Sequence, residues 1–140
     1  MGAPIGAVIA GSHDFIDDIW RWKQRLGGSM RQAGIVAAAC VFALDHHIDR
    51  LADDHANARA LARGLSQING VEVQQPETNL VFFKPDGAGV AGDKMVEALR
   101  KRGVLLAMMD GRIRACTHLD VSAAMIEETI GLVCEIVRAA

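Results

Sequence analysis

Arg112 and Arg114 alternate with Ile113 and Ala115, so on a half-buried strand both guanidinium groups leave from one face. Two forked cations on one face can clamp a carboxylate, fixing its orientation as well as supplying energy, which suits an amino-acid-like ligand. The plainer reading is an exposed polar strand face. Gly27-Gly28-Ser29-Met30-Arg31-Gln32 is the second candidate. Its glycines allow close backbone approach, Ser29 is expected to cap the apolar helix that follows, and Arg31 falls in the first turn of that helix. A cation there is unfavourable beside the positive end of the helix dipole, so Arg31 is either tolerated at small cost or holds something negative.

Other constellations read more plainly. Asp45-His46-His47, Asp49, Asp53, Asp54 and His55 contain pairs at helical i, i+3 and i+4 spacing that could pass for a metal site. Arg50 and Arg59 interrupt them, however, and a solvated helix face with His55 as a core histidine is the expectation; no metal ligand is assigned. His118 reads as a hydrogen-bonding residue at a hairpin end. Trp20 and Trp22 are expected to pack in a core or subunit contact, since a nucleic-acid platform needs more aromatics. Gly87-Ala88-Gly89-Val90-Ala91-Gly92 lacks the Lys-Ser/Thr of a phosphate loop and reads as a flexible connection.

These residues must be positioned by the elements around them. Ile5, Val8 and Ile9 among small residues suggest a strand. Phe15, Ile19, Trp22 and Leu26 recur at helical spacing, with acids early and bases late. From Ala33 to Leu44 apolar residues run all round the expected helix, which calls for cover on every side. Asp45 to Ile68 is expected as another helix, with Ile48, Leu51, His55, Ala58, Ala62 and Leu65 on one stripe and an αL cap at Asn69-Gly70. Val71–Val73 and Leu80–Phe83 read as strands, Met95–Arg102 as a helix closed by Gly103, and Val104–Met108 with Ile113–Cys116 as a hairpin about Asp110-Gly111. Ser122 is expected to cap a last helix with Ile126, Ile130, Val133 and Val137 buried. The pattern predicts an α+β layer with mainly antiparallel strands.

The bulk numbers set limits. A 140-residue chain can bury a core. Its 51% hydrophobic content is high enough that some surface is expected to meet a partner. A net charge of −2 with dispersed Lys and Arg gives no footprint for nucleic acid and no polybasic anchor for a membrane. The longest apolar run is shorter than the ~20 residues of a membrane span. Cys40, Cys116 and Cys134 are odd in number and far apart, so they are read as reduced and the location as cytoplasmic.

Five segments in series, Gly2-Ala-Pro-Ile-Gly6, Gly27–Gln32, Leu44-Asp45-His46, Asp54-His-Ala-Asn-Ala58 and Arg114-Ala-Cys-Thr-His-Leu-Asp-Val-Ser122, resemble the low-specificity L-threonine aldolases. These enzymes use pyridoxal phosphate (PLP) on the type I fold, and the resemblance covers all of this chain but only the C-terminal part of the family. It implies that 1–32 is a remnant of the large PLP-binding domain, 33–68 forms bridging helices, and 69–140 is a small C-terminal domain of antiparallel strands packed on helices. It also implies cleavage of β-hydroxy-α-amino acids such as L-threonine to glycine and an aldehyde, by a homo-oligomer acting on a small amino-acid substrate. Arg114 matches the arginine for the substrate carboxylate, and Arg31 an arginine set to approach the PLP phosphate; Arg112 gains no such role. The family's Schiff-base lysine corresponds to a position two residues before Met1, so the resemblance assigns no catalytic residue to this chain and implies that it is inactive alone. The alternatives are an autonomous non-catalytic α+β interaction domain that dimerises through the Ala33–Leu44 helix, or a type I enzyme with another amino-acid reaction such as β-elimination.

Overall fold

The computed structural model describes residues 1–140, which divide into two compact units, Met1–Ile48 and Asp49–Ala140. No helix in either unit is long and apolar enough to cross a membrane.

The first unit holds α1 (His13–Arg25) and α2 (Gly34–His46). The Ser12 hydroxyl accepts from the Phe15 amide and caps α1. The strand expected at Ile5–Ile9 is absent. A strand needs a hydrogen-bonding neighbour, and this segment has instead laid itself along α2, with Cys40 Sγ donating to the Ile5 carbonyl and His47 Nδ1 against the Met1 carbonyl. Along α2 the better covered positions are Val36, Cys40, Ala43 and His47, one stripe at helical spacing. Ile35, Val41, Phe42 and Leu44 remain exposed, so the all-round cover expected for this helix is missing within the unit.

The second unit is two layers deep. Its four-stranded antiparallel sheet has the order β1 (Glu72–Gln74), β2 (Leu80–Lys84), β4 (Arg112–Cys116), β3 (Ala107–Met109). Helices α3 (Leu51–Ser66), α4 (Gly92–Arg100) and α5 (Ala123–Arg138) supply the other layer. Val81, Phe83, Ile113 and Ala115 point from β2 and β4 into a core completed by Leu61 and Leu65 of α3, Met95 and Leu99 of α4, and Ile126 and Val133 of α5. Gly64 lets α5 close on α3, since a Cβ there would run into Ile130.

The expected α+β architecture and the hairpin are as the sequence suggested. Asp110 and Gly111 both take positive φ, 49° and 71°, the paired left-handed conformation of a two-residue hairpin turn. Gly103 closes α4 at φ 85°, with the Val104 amide reaching back to the Leu99 carbonyl. Ser122 caps α5 by accepting from the Met125 amide. The single helix expected from Asp45 to Ile68 is instead two. α2 runs on to His46, and the chain turns through 47–50 before α3 begins. At that start Asp54, in the first turn of α3, is almost fully buried and held by both arms of Arg50 four residues earlier. The glycine-rich segment is a short 3-10 turn (Asp86–Ala88) followed by Gly89, which takes φ 80°, and Gly87 serves packing. A Cβ on Gly87 would come within 2.8 Å of the Gly70 carbonyl oxygen, so two backbone segments cross there in contact.

Candidate functional site

Strand β4 alternates half-buried and buried residues, and Arg112 and Arg114 emerge on the face away from the helices. Pairing carries that face outward from residue to residue. Gln74 stands opposite Phe82, Phe82 opposite Arg114, and Arg114 opposite Ala107. The open face is therefore a row running Gln74, Phe82, Arg114, Ala107 across all four strands.

The two arginines are not equivalent. Arg112 donates from Nη1 to Gln74 Oε1 at 2.6 Å and lies over the Phe82 ring with its guanidinium carbon 4.7 Å from the centroid. One of its donors and one face of its guanidinium are thus already engaged. Arg114, paired with Phe82 in the sheet, has no side-chain hydrogen bond or ion pair in the chain and keeps its fork free. The clamp built from both guanidinium groups is not what the strand presents: one arginine supports the aromatic, and the other is available to an anion.

A buried polar lock holds the end of β4. The Thr117 hydroxyl, 1% exposed, donates to the Asp54 carbonyl at 2.7 Å. The Thr117 amide donates to the Asn79 carbonyl at 3.0 Å, and Asn79 Nδ2 returns a bond to the Thr117 carbonyl at 2.7 Å. Asn57 Nδ2 reaches the Val121 carbonyl at 3.0 Å. Under this lattice sits the Arg50–Asp54 pair, 2.7 and 3.1 Å. The Asp54 hydrogen bond, joined by the charges of Asp54, Asp53 and Asp120, raises the Arg50 pKa further above its ordinary value despite the opposing effect of burial.

Within the acidic stretch Asp45, His46, Asp49 and Asp53 are exposed, in line with the solvated face expected, and Asp54 is the exception. Asp54 is 2% exposed and takes the buried position on α3, whereas His55 is only half-buried and has no side-chain bond. Leu61 joins the core stripe unforeseen. One signal for the lock was present: Asp54 follows Arg50 at i+4 where α3 begins. Its partner Thr117 is 63 residues away and could not be found by spacing. His118 is exposed; its Nδ1 accepts from the Asp120 amide at 3.4 Å, a local role as expected.

Gly27–Gln32 also needs correction. Gly27 takes φ 79°, its amide donates to the Gln24 carbonyl, and the Gly28 amide donates to the Lys23 carbonyl at 2.8 Å. The glycines thus close α1 from behind, and these two amides are not free for an anion. Ser29 caps nothing, because α2 starts only at Gly34 with Ala33 as an uncapped first residue. Arg31 lies in the turn before the helix, exposed and without a side-chain partner. Arg31 belongs to the first unit and Arg114 to the second.

Trp20 and Trp22 are each 56% exposed, so neither is a core residue of this chain; Lys23 and Arg25 lie over their rings at 4.8 and 5.4 Å. The three cysteines are free thiols.

Comparison with known proteins adds three findings. A family described as β-eliminating lyase matches residues 1–88. A low-specificity L-threonine aldolase of Arabidopsis thaliana is 36% identical over 134 residues, 93% of this chain and 37% of that protein, so the chain spans little more than a third of this relative's length. Among solved structures, one from Exiguobacterium described as a putative aromatic amino acid β-eliminating lyase/threonine aldolase superposes with a TM-score of 0.62 at 18% identity, over 90% of this chain and 39% of that one. A second, the C-DES mutant with glycine covalently linked to its PLP cofactor, gives 0.58 at 22% identity, over 74% and 28%.

Proposed function

The chain belongs to the β-eliminating lyase family, and from that premise we propose that it acts as the C-terminal segment of a PLP-dependent aldolase that cleaves L-threonine or L-allo-threonine to glycine and an aldehyde. The observation that carries this reading is the free fork of Arg114 on the open sheet face, at the head of Arg114–Ser122, one of the five segments that resemble the aldolases. In such an enzyme 1–32 closes the large domain, 33–68 bridges, and 69–140 is the small domain; α3 packs on the sheet of 69–140.

The donor set fits what PLP and its substrate require only in part. Arg31 offers an unengaged guanidinium suited to a phosphate, and Arg114 one suited to a carboxylate. The first lysine of the chain is Lys23, on exposed α1. When bound, PLP supplies the electron sink for the carbanion left after Cα–Cβ cleavage. What this chain contributes is position. Arg114 grips the substrate carboxylate, the Phe82 ring beside it restricts where that carboxylate can lie, and the Thr117 lock keeps β4 in place during the reaction. Neither proton transfer nor covalent attachment is assigned to its residues. The working enzyme is proposed to be a cytoplasmic homo-oligomer acting on a small amino acid.

The test uses the chain itself and a fusion. The purified chain with PLP should show neither the absorbance of covalently bound cofactor nor glycine release from L-threonine. Joined to the part of the A. thaliana aldolase that it does not match, it should release glycine from threonine. Enzyme-like activity of the chain alone, or a folded, PLP-loaded fusion that leaves threonine intact, would overturn this reading. The family description favours one other reaction, β-elimination; profiling the fusion on amino acids with a β-leaving group separates the two.

A further inference from the structure

The helix layer of the second unit carries a groove on its outer side. It runs between the end of α3 and the length of α5, has a volume of about 670 Å³, and is floored by the half-buried Ile130 and Val137. One stripe of α5 lines it: Glu127, Gly131, Cys134 and Arg138 stand at i, i+4, i+7 and i+11, so all four share a helix face. Glu127, Gly131 and Arg138 are exposed and Cys134 is half-buried. Neither charged residue of the stripe joins an ion pair within the chain, in contrast to Glu135, which holds Arg102. A Cβ on Gly131 would meet nothing within 4 Å, so the middle of the stripe is open to close approach.

The stripe is complementary to itself. Glu127 and Arg138 lie equally far from the midpoint of Leu132 and Val133, and so do Gly131 and Cys134. A two-fold axis through that midpoint lays a second α5 antiparallel on the first and sets Glu127 of each copy against Arg138 of the other. The two ion pairs so formed close the ends of a contact about 16 Å long. Between them, the space at each Gly131 receives a Cys134 thiol from the other copy, and the helix dipoles run head to tail. A two-fold contact requires that residue i meet j and j meet i, which this stripe satisfies; parallel helices would instead set Glu beside Glu and Arg beside Arg. Resting on the reading of the working protein as a homo-oligomer, we propose that two copies of the chain meet at this groove, α5 antiparallel to α5, with Glu127 and Arg138 setting the register. The sheet lies between this surface and Arg114, so the open sheet face stays clear.

The experiment uses the 140-residue chain with Cys40→Ser and Cys116→Ser, which leaves Cys134 as its one thiol. In the antiparallel pair the two Cys134 residues lie about 5 Å apart along the helix axis, and a short bismaleimide should join them into a covalent dimer. Glu127→Lys and Arg138→Glu should each lower the association constant, measured by sedimentation equilibrium, by about 10-fold, since each breaks two pairs per dimer and brings like charges together. The two reversals combined should restore it. Gly131→Gln should abolish the link and yet raise the urea midpoint, because a side chain there holds the helices apart while glutamine favours the helix over glycine. Absence of the Cys134 link, association that leaves Cys134 unlinked, or a link indifferent to the single reversals or not restored by the double one would overturn the proposal. The fusion separates this from the reading it rests on. An oligomeric fusion whose Cys134 does not link sinks the α5 contact alone, whereas a monomeric fusion sinks the homo-oligomer reading with it.

Discussion

Arg112 lies with its guanidinium carbon 4.7 Å from the centre of the Phe82 ring, and Phe82 in turn stands directly opposite Arg114 on the neighbouring strand. Phe82 is therefore in ring contact with one, and in strand register with the other, of two arginines that the sequence presents as twins. One is committed to the ring and to Gln74, and the other is left for a ligand. Their functions should separate accordingly.

In the active fusion, Arg114→Ala should lower kcat/KM for threonine by about 100-fold, the loss expected when a charged, bidentate hydrogen bond to a carboxylate is removed. Arg112→Ala should cost about 5-fold or less, through a looser Phe82. Steady-state kinetics on the two variants decide it, and near-normal efficiency of Arg114→Ala would remove the carboxylate role.

Thr117→Val keeps the shape of a buried side chain and deletes its hydroxyl bond to the Asp54 carbonyl. The expected loss is about 1 kcal/mol, read as a lower urea midpoint with unchanged slope. Thr117→Ser, which keeps the donor, should fall between. A valine variant as stable as the parent would mean that the lock does not anchor β4.

Gly70 combines φ 81° with the backbone of Gly87 and Ala88 at the place a Cβ would occupy. Gly70→Ala should therefore destabilise by about 3 kcal/mol, left-handed strain adding to overpacking against atoms that cannot swing aside. Thermal unfolding measures this. An unaltered midpoint would show that the loop and the β1 turn do not cross as described.

The Glu97 carboxyl is held below the usual glutamate range by the hydrogen bond from Lys101 at 2.9 Å, then by the charges of Lys101 and Lys94. A carboxyl with a lowered folded pKa leaves the unfolded chain binding more protons, so its contribution is present above the unfolded value and is lost as pH falls through the folded one. Carboxyl carbon NMR titration should place the Glu97 midpoint below that of an ordinary glutamate, and Lys101→Ala should move it up. No movement would show that the pair does not form in solution.

Much of the second unit was legible because its signals are local. The Asp110-Gly111 turn, the Gly103 stop, the Ser122 cap and the α5 stripe each depend on residues within a few positions, and all stand where the pattern put them. The strand alternation that sends Arg112 and Arg114 to one face is equally local. Two matters were not readable in this way. A strand at Ile5–Ile9 depends on a hydrogen-bonding neighbour, which periodicity cannot supply. Glycines 27 and 28 serve equally to end one helix or begin another, and only the bonds back to Gln24 and Lys23 decide which.

By itself, the sequence determined the α+β order of elements, the shared face of the two arginines and the family resemblance, since these rest on residue type and short-range spacing. Tertiary structure alone decided that Arg112 is engaged and Arg114 free, because Phe82 and Gln74 reach them only through the pairing of strands some 30 residues apart. It also decided that Asp54 is buried beneath Thr117 rather than solvated, since desolvating a carboxylate is tolerable only where Arg50 is at hand and long-range packing closes over the pair.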